Sequence, residues 1–159
     1  MNQRNVPINK VNYSRDTAER EALFEQYRGD GWEQEYAEYR QNWSGFAKQQ
    51  QISDFPLLVD IELASVCNLT CPMCYTITDE FKKQVNVTRM DWALYKKIID
   101  EIGGKVPAIR LSLRGEATLH TKFIEAIKYA KDNGIKEVWT LTHGGKMTLP
   151  SFKKMVDAG

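Results

Sequence analysis

The chain has 159 residues, of which 42% are hydrophobic and 27% charged, and its formal net charge is +1. This composition is typical of about one globular domain and shows neither a basic nucleic-acid footprint nor attraction to an anionic membrane. No apolar run reaches the ~18 residues that span a bilayer, and residues 1–10 lack a secretory signal. We therefore expect a cytoplasmic protein.

Residues 1–54 predict an N-terminal helical extension. Helix-forming residues run from 16 to 28, and the Gly-Asp-Gly sequence at 29–31 ends that helix. A second helix, 32–43, carries four aromatic residues on one stripe, namely Trp32, Tyr36, Tyr39 and Trp43. We expect this stripe to pack against the main domain; a lid or a partner-docking surface is the alternative.

Residues 55–159 alternate between strand and helix patterns. The strand patterns cover 57–63, 108–113 and 138–141. The helix patterns cover 88–102, which opens on a capping-box sequence at Thr88, then 121–133, and 151–158, which follows Pro150. Three successive βα units predict an α/β fold with a parallel sheet, in which ligands bind at the carboxyl ends of the strands.

Each predicted strand leads into a loop of unusual composition at that edge. The first strand is followed by three cysteines within eight residues, at 67–74. The second runs into Arg114-Gly115-Glu116, and the third into a Thr-His-Gly-Gly turn at 142–145. The convergence of these three loops points to one site.

Cys67, Cys71 and Cys74 have the spacing C-x3-C-x2-C. Pro72 disfavours helical dihedrals at Cys71, so a loop wrapped around a metal centre is favoured over a helix. Disulfides are disfavoured in a reducing cytosol, and an odd number of cysteines cannot be fully paired within the chain. Three thiolates can hold three irons of a cubane cluster and leave the fourth iron open.

A structural zinc site is the alternative for these cysteines. Such sites close with four ligands, commonly four cysteines or three cysteines and one histidine. Only His120 or His143 could supply a histidine, and either would have to come from a distant part of the chain.

The cysteine spacing after the first strand of a βα series resembles the signature of the radical S-adenosylmethionine (SAM) superfamily. Arg114-Gly115-Glu116 is similar to that family's Gly-Gly-Glu turn, and Thr142-His143-Gly144 to its Thr-Asn-Gly turn. The resemblance covers roughly residues 57–159. It implies a partial TIM-like barrel, of which this chain carries the first three βα units of a (βα)6 core.

The resemblance also implies the cofactors and the residues that bind them. Cys67, Cys71 and Cys74 would bind a [4Fe–4S] cluster whose open iron is chelated by SAM. Reductive cleavage of SAM to a 5′-deoxyadenosyl radical would then abstract a hydrogen atom from a substrate. The resemblance assigns SAM contacts to these residues: Met73, Tyr75, Arg114, Gly115, Glu116 and Thr142.

This sequence departs from the family pattern at three positions. Met73 stands where an aromatic residue is common, Arg114 replaces the first glycine, and Ala117 follows where proline is frequent. Arg114 is expected either to crowd the SAM pocket or to reach a carboxylate. No cluster ligand is lost.

The resemblance further implies partners: a reductant such as flavodoxin or ferredoxin, and a small-molecule or peptide substrate that the sequence does not identify. Since the pattern stops after three of six units, we expect a piece of an enzyme that does not turn over alone. A non-catalytic iron–sulfur binding module, or an inert remnant, is the alternative.

Overall fold

The computed structural model describes residues 17–159. The chain divides into two compact units, one ending at Arg40 and the other comprising Gln41–Gly159. Residues 1–16, on which the signal-peptide prediction and the start of the first predicted helix rest, lie outside the described part. Within residues 17–159, no helix is both long and apolar enough to cross a membrane.

The first unit contains helix α1 (Ala18–Glu25) and the start of helix α2 (Glu33–Gln49). Three members of the predicted aromatic stripe, Trp32, Tyr36 and Tyr39, are buried and pack on one another with ring centroids 5.2–6.2 Å apart. Trp43 lies beyond the division and is 47% exposed.

Helix α2 is longer than predicted. It continues for six residues past Trp43 and ends where Gln50 adopts a positive φ of 54°. The N–H of Gln51 then bonds to the carbonyl of Phe46 at 3.0 Å, which is a left-handed C-terminal cap. The aromatic pattern therefore located the helix but not its end.

The second unit is built on a three-stranded sheet in the order β1-β2-β3. Both strand pairs are parallel, as predicted. The strands are β1 (Leu58–Asp60), β2 (Ala108–Arg110) and β3 (Glu137–Trp139). After the end of α2, the α-helices of this unit are α3 (Asp79–Gln84), α4 (Trp92–Ile102), α5 (Phe123–Asp132) and α6 (Leu149–Ala158). Alternation of strand and helix therefore yields the predicted α/β arrangement, and α3 is an addition that the sequence pattern did not reveal.

The strands are shorter than the hydrophobic patterns suggested. After Ile61 the chain leaves β2 and pairs instead with the segment before α4, where Met90 N–H bonds to Leu63 O and Ser65 N–H to Thr88 O. This change of partner ends the parallel pairing and directs the following loop.

Thr88 does not cap α4, contrary to the sequence prediction. The N-terminal cap is Asp91, whose carboxylate accepts the N–H groups of Ala93 and Leu94 at 2.9 and 3.1 Å. The Thr88 backbone is already paired with Ser65, so the helix begins three residues later than predicted.

The core lies between the sheet and the helices. Tyr95 and Ile99 of α4 are fully buried, and Tyr95 donates its hydroxyl hydrogen to Ala126 O at 2.7 Å. The buried residues of α5, which packs against α4, α6 and β3, are Phe123, Ala126, Ile127 and Ala130. This packing holds the three strands in place. Because the strands are parallel, their carboxyl ends lie at the same edge of the sheet.

Candidate functional site

The three loops predicted to converge do meet at the carboxyl edge of the sheet. Glu116 N–H bonds to Val66 O at 2.8 Å, which joins the loop after β2 to the start of the cysteine loop. The Thr142 hydroxyl donates to Glu116 at 2.7 Å, and His143 Nε2 lies 3.0 Å from Asn68 Oδ1. All three loops are therefore linked by direct hydrogen bonds.

Gly115 allows the closest of these approaches. Its φ is +66°, and a Cβ atom there would stand 2.5–2.6 Å from backbone atoms of Ala64, Ser65 and Val66. A residue with a side chain would be strained by the dihedral and would collide with backbone that cannot move aside. Glycine at position 115 therefore lets this turn pack directly against the backbone of residues 64–66, which precede Cys67.

Glu116 is the most enclosed polar group of the site, at 2% exposure. Its Oε1 accepts the N–H and hydroxyl of Thr118 and the hydroxyl of Thr142, and its Oε2 accepts the N–H of His143 at 3.0 Å. Burial raises the pKa of this carboxyl, but the hydrogen bonds together outweigh burial and hold the pKa below its ordinary value. Glu116 is therefore an ionised, fully bonded carboxylate.

His143, which the sequence placed in the turn after the third strand, bridges two loops. Its Nδ1 accepts Gly145 N–H at 3.0 Å, which places the ring hydrogen on Nε2. Nε2 then donates to Asn68, next to Cys67, and lies 3.4 Å from the Glu116 carboxylate. No periodicity or motif in the sequence could pair residues 75 positions apart.

The cysteines lie on a loop with little regular structure. Cys67 and Cys71 are exposed, Cys74 is half-buried, and none of the three forms a disulfide. Cys74 N–H bonds to Cys71 O at 2.9 Å, so Pro72 and Met73 form a tight turn between them. Hydrogen bonds from the side chain and backbone of Thr76 lower the pKa of the Cys74 thiol, which favours the thiolate that binds metals.

The donor chemistry of this loop fits an iron–sulfur cluster, since it offers three thiols that form no disulfide. Within residues 17–159, however, no three His, Cys, Asp or Glu side chains are grouped as a metal site. In this conformation the three thiols therefore do not form a grouped ligand set.

His120, one of the two histidines that could complete a zinc site, is not available to the cysteines in this arrangement. His120 is buried, its Nε2 2.9 Å from Met90 O, while its Nδ1 accepts Lys122 N–H at 3.1 Å. Both ring nitrogens are thus used in the core.

The remaining predicted SAM contacts lie around the same edge. Met73 is 85% exposed and Tyr75 59% exposed, with the Tyr75 ring packed edge-on against Phe81. Arg114 reaches a carboxylate, as one of the two sequence alternatives proposed: it forms a two-pronged pair with Glu62. The sequence did not identify Glu62 as the partner of Arg114, and it did not predict helix α3 nearby.

No protein-family model matches the chain. It is 29% identical over 107 residues to a 7,8-dihydro-6-hydroxymethylpterin dimethyltransferase of Methanocaldococcus jannaschii, an alignment covering 65% of this chain and 20% of that protein. It is 28% identical over 102 residues to a tungsten-containing aldehyde ferredoxin oxidoreductase cofactor-modifying protein of Pyrococcus furiosus, covering 62% of this chain and 27% of the relative. The chain thus spans about a quarter or less of these curated relatives.

The fold is similar to that of BtrN. The crystal structure of BtrN in complex with AdoMet and 2-DOIA matches with a TM-score of 0.60 at 19% identity, covering 68% of this chain and 44% of BtrN. A crystal structure of BtrN in an open conformation matches with a TM-score of 0.56 at 18% identity, over 68% of this chain and 48% of that one. At this identity the likeness establishes a shared fold.

Proposed function

We propose that this chain carries the cluster-binding part of a radical SAM enzyme, in which Cys67, Cys71 and Cys74 bind a [4Fe–4S] cluster. One observation carries the proposal: the three-cysteine loop leaves β1 at the sheet edge, and the Arg114-Gly115-Glu116 turn is hydrogen-bonded to its base. The relatives and the BtrN fold, which are of radical SAM type, support it at the level of the family. When bound, the cluster and SAM would supply a 5′-deoxyadenosyl radical for hydrogen abstraction from the substrate.

The residues of this chain would bind and orient the cofactors. We assign the three thiolates to iron and the SAM contacts to the turns on either side, including Met73, Tyr75, Gly115 and Thr142. Glu116 would meet the SAM amino group only by exchanging one of its present hydrogen bonds, because four donors already occupy its oxygens. Its negative charge suits an ammonium group in this buried position.

The proposal extends to the rest of the reaction. It requires a one-electron donor, for which flavodoxin or ferredoxin is suitable, and a small-molecule or peptide substrate. We also propose that β1, β2 and β3, with the helices that follow them, are three βα units of a partial TIM-like barrel. A complete reaction requires a closed site that excludes water and orients the radical.

Anaerobic iron–sulfur reconstitution tests cluster binding. We expect about four irons and four sulfides per chain, the content of one cubane held by thiolates, and a large loss of both in Cys71→Ala. Stoichiometric zinc without iron uptake would refute the assignment.

Electron paramagnetic resonance of the reduced protein tests SAM binding. SAM should perturb the cluster signal, and Glu116→Ala should weaken that response. A cluster that forms normally but never responds to SAM would favour the alternative, a non-catalytic iron–sulfur binding module.

A further inference from the structure

Arg114 connects the sheet edge to the segment that follows the cysteines. Its Nε and Nη2 donate to the two oxygens of Glu62 at 2.6 and 2.9 Å, and its backbone N–H donates to Glu62 at 3.1 Å. The two side chains are only 29% and 18% exposed. A two-pronged pair of this kind fixes the orientation of the guanidinium plane as well as its position.

The fixed guanidinium lies over an aromatic ring of α3. Its central carbon is 5.5 Å from the ring centroid of Phe81, within the range of a cation–π contact. Phe81 in turn packs edge-on against Tyr75, at a centroid distance of 5.4 Å. Tyr75 directly follows Cys74, so three side-chain contacts lead from Glu62 to the last cysteine.

Phe81 also borders the beginning of the cysteine loop. It lines a cavity of about 160 Å³ to which Cys67, Leu69 and Thr76 contribute as well. Phe81 therefore lines the same cavity as Cys67 at the start of the loop and packs against Tyr75 at its end.

We propose that Arg114 is a positioning residue that sets the geometry of the cysteine loop through Phe81. Glu62 orients the Arg114 guanidinium, which contacts the Phe81 ring. The Phe81 ring in turn packs against Tyr75 and lines the cavity beside Cys67. That the loop receives a cluster rests on the proposed function; that Arg114 fixes the loop does not.

The chain contains a matched control for this arrangement. Arg110 also pairs with a carboxylate of β1, Asp60, and its guanidinium lies 5.3 Å from the ring of Trp139. Asp60 and Arg110 are register partners inside the sheet, and Trp139 belongs to β3. Arg110 thus makes the same two kinds of contact without touching the cysteine loop.

Amide hydrogen exchange of the full 159-residue chain, without cluster, tests the role directly. The reporters are N–H groups bonded within this segment, namely those of Cys74, Ile77, Thr78 and Val85. We expect Arg114→Lys, which keeps the charge but loses the fork, to speed their exchange about tenfold by local opening, with α5 unchanged. Phe81→Leu should act in the same way, and the double variant should add little, because both residues belong to one contact chain.

Arg110→Lys should leave these reporters unchanged. Equal exchange in wild type and Arg114→Lys would overturn the proposal, and so would a rise that extends uniformly to α5, which indicates a general loss of stability. In reconstituted protein, a chelator should remove iron several-fold faster from Arg114→Lys than from Arg110→Lys; equal rates would also count against it. If the wild type takes up no cluster, the proposed function fails while the exchange result still decides the role of Arg114.

Discussion

Glu116 and His143 are joined twice, once through the His143 backbone N–H, at 3.0 Å from Oε2, and once through the approach of the imidazole to the same oxygen at 3.4 Å. The carboxylate comes from the loop after β2 and the histidine from the loop after β3. A buried, ionised side chain therefore fixes the relative position of two loops that the backbone alone would leave separate.

Glu116→Gln should reduce stability at neutral pH, because the amide presents an N–H₂ group to the His143 N–H and carries no charge. We expect a loss of about 1–3 kcal/mol, the usual cost of an unsatisfied buried group. Since the folded pKa of Glu116 lies below its ordinary value of 4.5, its stabilisation is present above that value and is lost as the pH falls through the lowered pKa. Urea unfolding at several pH values should show the two proteins converging toward acid pH. A constant difference down to acid pH would contradict the ionised state.

Gly115→Ala should be among the most damaging single substitutions in the second unit. The added Cβ would meet backbone at 2.5 Å in a left-handed conformation, so we expect a loss of more than ~3 kcal/mol or failure to fold. Gly144→Ala is the control, since Gly144 has a φ of +75° with nothing within 4 Å of the added atom. It should cost only ~1 kcal/mol, the price of the dihedral. Similar melting temperatures for the two variants would show that the close approach is unimportant.

Cys71→Ser should separate metal binding from folding. The thiol is exposed and forms no disulfide, and exposed substitutions of this kind change stability by about ±0.5 kcal/mol or less. The unloaded variant should therefore melt as the wild type does, while its iron content after reconstitution falls sharply. Calorimetry would measure the melting temperature of the unloaded variant, and iron analysis of the same preparation would measure its iron content after reconstitution. A large drop in the melting temperature of the iron-free variant would assign Cys71 a structural role instead.

Tyr95→Phe should weaken the contact between α4 and α5. The hydroxyl is buried and donates to Ala126 O at 2.7 Å, so its removal should cost about 1 kcal/mol. Tyr129→Phe removes a hydroxyl that donates to Asp100 on the exposed surface, at 2.6 Å, and should cost less. Chemical denaturation of the two variants would rank them; the reverse order would show that the buried bond contributes little.

The sequence predicted the α/β order because each core segment has a strong period. The strands centre on apolar runs, and α5 has its inward residues where a helical period puts them, with Phe123, Ile127 and Ala130 all buried. Gly134, with a φ of +86°, directly follows Asn133, the C-terminal cap of α5. These features are local, so a single sequence is sufficient to recognise them.

The parts that could not be predicted depend on distant partners. The end of β1 is decided by whether the chain after Ile61 pairs with β2 or with Thr88 and Met90, and both choices suit the same apolar residues. The Arg114–Glu62 pair joins residues 52 positions apart, and only the assembled sheet edge brings them together. The convergence of the loops was foreseeable from strand order; the contacts within it were not.

The protein has only two histidines, and each has one ring nitrogen accepting a backbone N–H, from Lys122 in one case and Gly145 in the other. Both rings should therefore share one tautomer while sitting in different places, His120 in the core and His143 beside the cysteine loop. Long-range nitrogen-15 spectra of the two imidazoles would then give one set of signals for His120 and another for His143. One would report whether the interior is intact, and the other would move when the cysteine loop changes shape, without any probe attached to the chain.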